Sequence, residues 1–128
     1  MNQLTSIFKV LSDENRLRMI VLLYQEELCV CQLTGILDIP QPRVSQYLSK
    51  LRDLDLVDDV RREKFVYYSL KESNKILDGV LKKILDDLAA YPQLLADREL
   101  LANKASYLKQ CSGISVEQTN DPMIKGGE

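Results

Sequence analysis

Between Val30 and Leu70 the spacing of apolar residues changes twice, and few architectures accommodate both changes in so short a stretch. Leu33, Ile36 and Leu37 recur at helical spacing and predict a short third helix over about Val30 to Leu37. Asp38-Ile39-Pro40 forms a compact turn. Gln41-Pro42 then opens a fourth helix, with Pro42 expected at the first helical position, where a missing N–H costs nothing. Val44, Leu48 and Leu51 form its inner face, and Arg43, Ser45, Gln46, Ser49, Lys50 and Arg52 its outer face. After Asp55 the pattern turns β-rich, in Leu56 to Val60 and again in Phe65 to Leu70. The charged link Arg61-Arg62-Glu63-Lys64 makes these a hairpin without a glycine turn. Two short helices joined by a tight turn, the second polar on its outer face and followed by a hairpin, form a helix-turn-helix with a wing.

The flanking segments are helical. Leu4, Ile7, Phe8 and Leu11 mark a helix from Asn2 to Leu11. Ser12-Asp13 offers an N-cap for a second helix over Arg16 to Tyr24. Ile76, Val80, Ile84, Leu85 and Leu88 predict a helix after the hairpin, and Pro92 interrupts it. A last helix is expected from Gln93 to about Gln110, through Leu94, Leu95, Leu101 and Leu108. The expected fold is therefore α+β, mostly α: five to six helices with a two-stranded wing. One domain is expected over 1–111, with 112–128 a disordered tail on its polar composition.

Composition narrows the function. The 128 residues are 45% apolar, enough for one real core. His is absent, which removes His-based acid–base catalysis and His-ligated metal sites. A net charge of −2 argues against nucleic-acid binding only until it is resolved by segment. Gln41 to Arg52 holds three basic residues and no acid, the hairpin tip adds Arg61, Arg62 and Lys64 against Glu63, and beyond Ile76 acids outnumber bases. Basic charge is focused where a duplex would lie. Arg43 and Gln46 suit bidentate contacts with base edges, and Ser45 can donate or accept. Lys50, Arg62 and Lys64 suit phosphates, and Gln41 near the helix start can serve either; Ser49 completes the face. No signal peptide or membrane-length apolar run is legible, so a cytoplasmic location with reduced thiols is expected.

These segments resemble the ArsR/SmtB winged-helix repressors. Leu11-Ser12-Asp13-Glu14-Asn15-Arg16-Leu17-Arg18-Met19-Ile20 is similar to their second-helix signature, Gln41-Pro42-Arg43-Val44-Ser45-Gln46-Tyr47-Leu48 to their recognition helix, and Lys64-Phe65-Val66-Tyr67-Tyr68-Ser69-Leu70 to their second wing strand. The resemblance covers Leu4 to Leu88. It implies a homodimer paired through the first and last helices, seated on a near-palindromic operator in double-stranded DNA and released by an inducer.

Cys29-Val30-Cys31 falls where that family's arsenic and antimony sensors carry Cys-Val-Cys, a motif shared with a cadmium/lead branch. The resemblance thus implies As(III) or Sb(III) as inducer, with no organic cofactor. Soft thiolates select thiophilic ions. The spacing needs an explanation, because residues two apart point about 200° apart on a helix and lie about 6.5–7 Å apart along a strand. Chelation would therefore bend the segment, and the DNA-bound geometry would be the poor chelator. The arsenic sensors often carry a third cysteine three residues later; here it is Thr34, which leaves Cys111, a small thiol or water as third ligand. The alternatives are a cadmium/lead sensor, or a thiol redox or persulfide switch in the same fold. An enzyme such as a thiol-based arsenate reductase would need an anion-cradling loop beside its cysteine. Glu26 and Glu27 would instead repel an oxyanion, so no enzymatic activity is expected.

Overall fold

The computed structural model describes residues 2–109. In chain order the elements are α1 (Asn2–Leu11), α2 (Glu14–Gln25), β1 (Leu28–Cys29), α3 (Val30–Leu37), α4 (Gln41–Asp53), β2 (Val57–Arg62), β3 (Phe65–Leu70), α5 (Lys75–Asp86) and α6 (Pro92–Leu100), with 3-10 turns at Leu88–Ala90 and Leu101–Asn103. The winged helix-turn-helix is present. Six α-helices lie among the described residues, together with one strand more than the sequence indicated.

Helix α2 is the hub. Asp13 caps it, its carboxylate accepting the Arg16 N–H at 3.0 Å, so the helix starts at Glu14 rather than at Arg16. Five consecutive residues, Met19 to Leu23, are buried. A helix buried on all sides must be packed on all sides, and α1, α3, α6 and β3 all contact it. The core is otherwise built of Leu, Ile and Val from every element.

The turn into α4 follows from Asp38, which ends α3 in the left-handed conformation (φ 57°, ψ 48°) and donates its N–H to Thr34 O at 2.9 Å. Pro40 is the N-cap of α4, its carbonyl accepting from Arg43 N at 3.0 Å and Val44 N at 3.2 Å. Gln41 therefore takes the first helical position and Pro42 the second, one place later than expected; its missing N–H is harmless there too. Val44, Leu48 and Leu51 are buried as the spacing predicts.

The wing pairs β2 and β3 antiparallel from Val57 opposite Leu70 to Arg62 opposite Phe65. Only Glu63 and Lys64 remain for the turn, so strand β2 runs further into the charged link than expected. Glu63 supplies the positive φ (56°) that tight hairpin turns demand. On the far side of β3, Leu28 pairs with Tyr68 and Cys29 with Tyr67, giving strand order β1-β3-β2. A two-residue strand carries no alternation to read, which is why the sequence did not disclose β1.

Two helical faces differ from expectation. On α5 it is Leu77 and Leu81 that are buried, while Ile76 is 51% exposed. The expected last helix is broken: α6 ends at Leu100, a 3-10 turn follows, and residues 106–109 are again helical. Of the apolar residues assigned to a dimer surface, Ile7, Leu94 and Leu101 are buried within this chain's own core, whereas Phe8 is 53% exposed. A buried ion pair joins α2 to α6. Arg18 donates to both Asp97 oxygens at 2.9 Å, and Gln93 adds a third donor to Asp97 at 3.0 Å. Residues 110–128, and with them Cys111 and the expected tail, lie outside the described residues. Among the described residues no helix is long and apolar enough to cross a membrane.

Candidate nucleic-acid interface and thiol site

Burying Val44, Leu48 and Leu51 turns the opposite face of α4 outward. Gln41, Arg43, Ser45, Gln46, Ser49 and Lys50 are all exposed on it. Arg43, Gln46 and Lys50 stand three and four residues apart and so align as one ridge. Gln41, Ser45 and Ser49, at steps of four, form the neighbouring ridge. The fold thus brings together the six α4 residues singled out from the sequence.

Arg16 and Arg52 anchor this helix. Arg16 donates to Val10 O at 3.3 Å and Lys9 O at 3.2 Å, and its guanidinium lies 5.9 Å from the Tyr47 ring of α4. Arg52 donates to Asp59 of β2 at 2.6 Å and sits 6.0 Å from the Tyr68 ring. The hydrogen bond to Asp59 raises the Arg52 pKa further, so its charge is fixed. Arg52 was legible as one more basic residue on the outer face. Its work here is to set the angle between α4 and the wing, which no sequence signal announced.

Both basic wing residues are exposed at the hairpin end. Lys64 lies 5.9 Å from the Phe65 ring. Arg62 lies 5.3 Å from the Tyr67 ring and donates to the carboxylate of Glu27, in the segment just before β1. That bond raises the Arg62 pKa and lowers that of Glu27. The Glu27 contact was not foreseen; the sequence offered only a generic acidic pair before the cysteines.

The two cysteines straddle a change of backbone geometry. Cys29 ends β1 and is the N-cap of α3, in extended conformation (φ −94°, ψ 173°), while Cys31 is in the first turn of α3. Neither the helical nor the strand spacing applies to them, because the backbone switches from one to the other between them. Cys29 N–H donates to Gln32 Oε1 at 3.0 Å, and the Gln32 N–H faces the Cys29 sulfur in return, a weak capping box. Gln32 Nε2 reaches on to Lys104 O at 3.3 Å. The Cys29 thiol is free and buried, and burial pushes its pKa up despite the N–H groups of Gln32 and Cys31 that favour the thiolate. Cys31 is disulfide-bonded, to a partner other than Cys29.

As a site for a thiophilic ion, the donors have the right chemistry in soft sulfur and a flexible junction. Among the described residues no cluster of three His, Cys, Asp or Glu completes it. Thr34, one turn after Cys31, has a buried hydroxyl oxygen with no hydrogen-bond partner among the described residues.

Residues 13–59 match the description "Bacterial regulatory protein, arsR family". Two arsenic resistance transcriptional regulators of Pseudomonas putida are 42% identical over 82 residues and 40% identical over 96 residues; the second alignment covers 73% of this chain and 81% of the relative. The first covers 62% of this chain. A cadmium resistance transcriptional regulatory protein of Listeria innocua is 41% identical over 68 residues, 52% of this chain. The chain spans 64% of the first regulator and 57% of the cadmium one, less than two thirds of either. Among solved structures, reduced HlyU from Vibrio cholerae superposes with a TM-score of 0.59 at 26% identity, over 65% of this chain and 85% of that one.

Proposed function

This chain belongs to the arsR family of bacterial regulatory proteins, and from that membership we propose that it is a transcriptional repressor. As a homodimer it holds a palindromic operator and lets go when As(III) or Sb(III) binds Cys29 and Cys31. The observation that carries the DNA-binding part is the exposed polar and basic face of α4, backed by Val44, Leu48 and Leu51 and braced against the wing by Arg52 and Asp59. Gln41, Arg43, Ser45 and Gln46 read bases; Ser49, Lys50, Arg62 and Lys64 meet the backbone.

The inducer class is supported by the relatives named for arsenic resistance and by two soft donors at the entrance of α3. Closing both sulfurs on one ion pulls Cys29 and Cys31 toward each other across the β1–α3 junction. That works against the capping contacts of Gln32, and α3 packs on α4. A ligand that prefers the distorted junction shifts the population away from the DNA-holding one. Cys111 as third ligand lies outside the described residues.

The test is fluorescence anisotropy of the reduced protein on the duplex upstream of its own gene. It is titrated with As(III), then Cd(II), beside the Cys29→Ser, Cys31→Ser double variant. Release of the wild type by As(III), with the variant retained, is the expected result. DNA binding that neither ion reverses defeats the inducer reading.

A second reading has one specific observation in its favour. The disulfide at Cys31 suits a thiol redox switch in the same fold. It predicts release by oxidant rather than by As(III). A cadmium or lead inducer is supported by the cadmium resistance relative alone.

A further inference from the structure

We propose that Glu27 holds the wing arginine in check: its carboxylate competes with DNA phosphate for Arg62 and thereby ties the cysteine-bearing segment to the DNA-contacting hairpin. This rests on the DNA-binding reading above. The two residues are 35 apart in sequence, yet the Arg62 guanidinium bonds the Glu27 carboxylate. The other ion pairs around the wing, Arg52 with Asp59 and Lys71 with Asp55, connect residues 7 and 16 apart and brace neighbouring elements. Only Glu27 with Arg62, among the described residues, links the thiol segment to the hairpin end.

The sheet register explains how they meet. Cys29 stands opposite Tyr67, and Tyr67 opposite Val60. Side chains alternate across a strand, so residues two apart share a face and so do paired residues. Cys29, Tyr67, Val60 and Arg62 are thus on one face, and Glu27, two residues before Cys29, has the same parity. Tyr67 lies between thiol and arginine: its ring is 5.3 Å from the Arg62 guanidinium, and it feels the Cys29 sulfur electrostatically. A change at Cys29 that moves β1 against β3 changes the reach of Glu27 to Arg62.

The strength of the pair suits competition. The side chains of Arg62 and Glu27 are 52% and 38% exposed. Exposed pairs are weak, so a phosphate can displace Glu27, and the penalty on DNA binding has a ceiling of about fivefold. Glu27 in addition places a negative charge beside the duplex when Arg62 is drawn away.

The experiment is a double-mutant cycle read by fluorescence anisotropy across a salt series, on the upstream duplex and on a random-sequence duplex. The proteins are wild type, Glu27→Gln, Arg62→Gln and the double variant. Glu27→Gln is expected to tighten binding by about two- to fivefold and to steepen the plot of log affinity against log salt by about 0.9, one more phosphate contact. In the Arg62→Gln background the same change is expected to do neither. Equal tightening in both backgrounds means that Glu27 merely repels DNA at a distance, and overturns the proposal. No tightening in either background overturns it as well, while leaving the DNA-binding reading intact. A wild type that binds neither duplex sinks both.

Discussion

At the scale of single residues, Cys29 carries the sharpest chemical consequence. Its thiol is held neutral by burial, with the pKa raised above the ordinary value. Arsenite arrives as an uncharged trihydroxide. Each As–S bond that forms expels hydroxide, which leaves with the thiol proton as water, so no net proton is released. Cd(II) must instead displace one proton from each neutral thiol it binds. Below the thiol pKa, Cd(II) affinity is therefore expected to fall by about tenfold per pH unit for each proton displaced, while As(III) affinity stays flat. Anisotropy titrations of the reduced protein at pH 6, 7 and 8 compare the two slopes, and equal slopes would refute this account of the site. The Arg18–Asp97 pair makes a separate prediction. Both side chains are nearly inaccessible, at 12% and 3%. Asp97→Asn leaves a buried guanidinium without its counter-charge and is expected to cost about 3 kcal/mol in urea-unfolding stability. A loss below about 1 kcal/mol would mean that the pair behaves as an exposed one. Nothing in the local sequence announced this pair, because its partners lie 79 residues apart and a lone Asp in an amphipathic helix reads as surface.

At the scale of elements, legibility followed the strength of local signals. The α4 helix and the two long wing strands were legible because Val44, Leu48 and Leu51, and then Phe65 to Leu70, repeat at the periods of their structures. The outward face of α4 came with them, since the inner face determines it. Strand β1 was not legible, nor was the resulting position of Cys29 opposite Tyr67, since long-range pairing leaves no trace in two residues. The broken last helix was missed for a related reason: Leu94, Leu95, Leu101 and Leu108 fit a helix, but contacts elsewhere hold that stretch. One such contact is Tyr107 on Gly35. A Cβ added to Gly35 would stand 2.0 Å from Tyr107 Cδ1, so the glycine exists to let the ring lie on α3. Gly35→Ala is expected to push Tyr107 away and to lose about 1–3 kcal/mol to overpacking. In a Tyr107→Ala background the same change is expected to stabilise by about 1 kcal/mol, because alanine is the better helix former. Thermal or urea unfolding of the four proteins checks the reversal of sign. Destabilisation in both backgrounds would place the strain elsewhere.

At the scale of the whole molecule, the arrangement puts DNA-facing residues on α4 and the wing, and leaves Phe8 as an exposed aromatic on α1. With Ile7, Leu94 and Leu101 consumed by the monomer's own core, Phe8 and the half-buried Leu4, Leu11, Leu95 and Leu108 remain for the proposed homodimer. Phe8→Glu is expected to shift sedimentation toward the monomer while the helical circular dichroism is retained, and to weaken operator binding at least tenfold. An unchanged dimer would move the interface away from α1. The strand order has one more consequence. With β1 covering part of one side of β3, strand β2 is left as an open edge, a row of unpaired backbone donors and acceptors. Such an edge recruits strands from neighbouring copies and seeds aggregation unless it is guarded. Four of the six residues of β2 are charged, Asp58, Asp59, Arg61 and Arg62, and all four are exposed. The hairpin that meets DNA is thus also the place where polymerisation would start, and the mixed charges that serve its contacts keep crowded copies of the protein from stitching into fibrils.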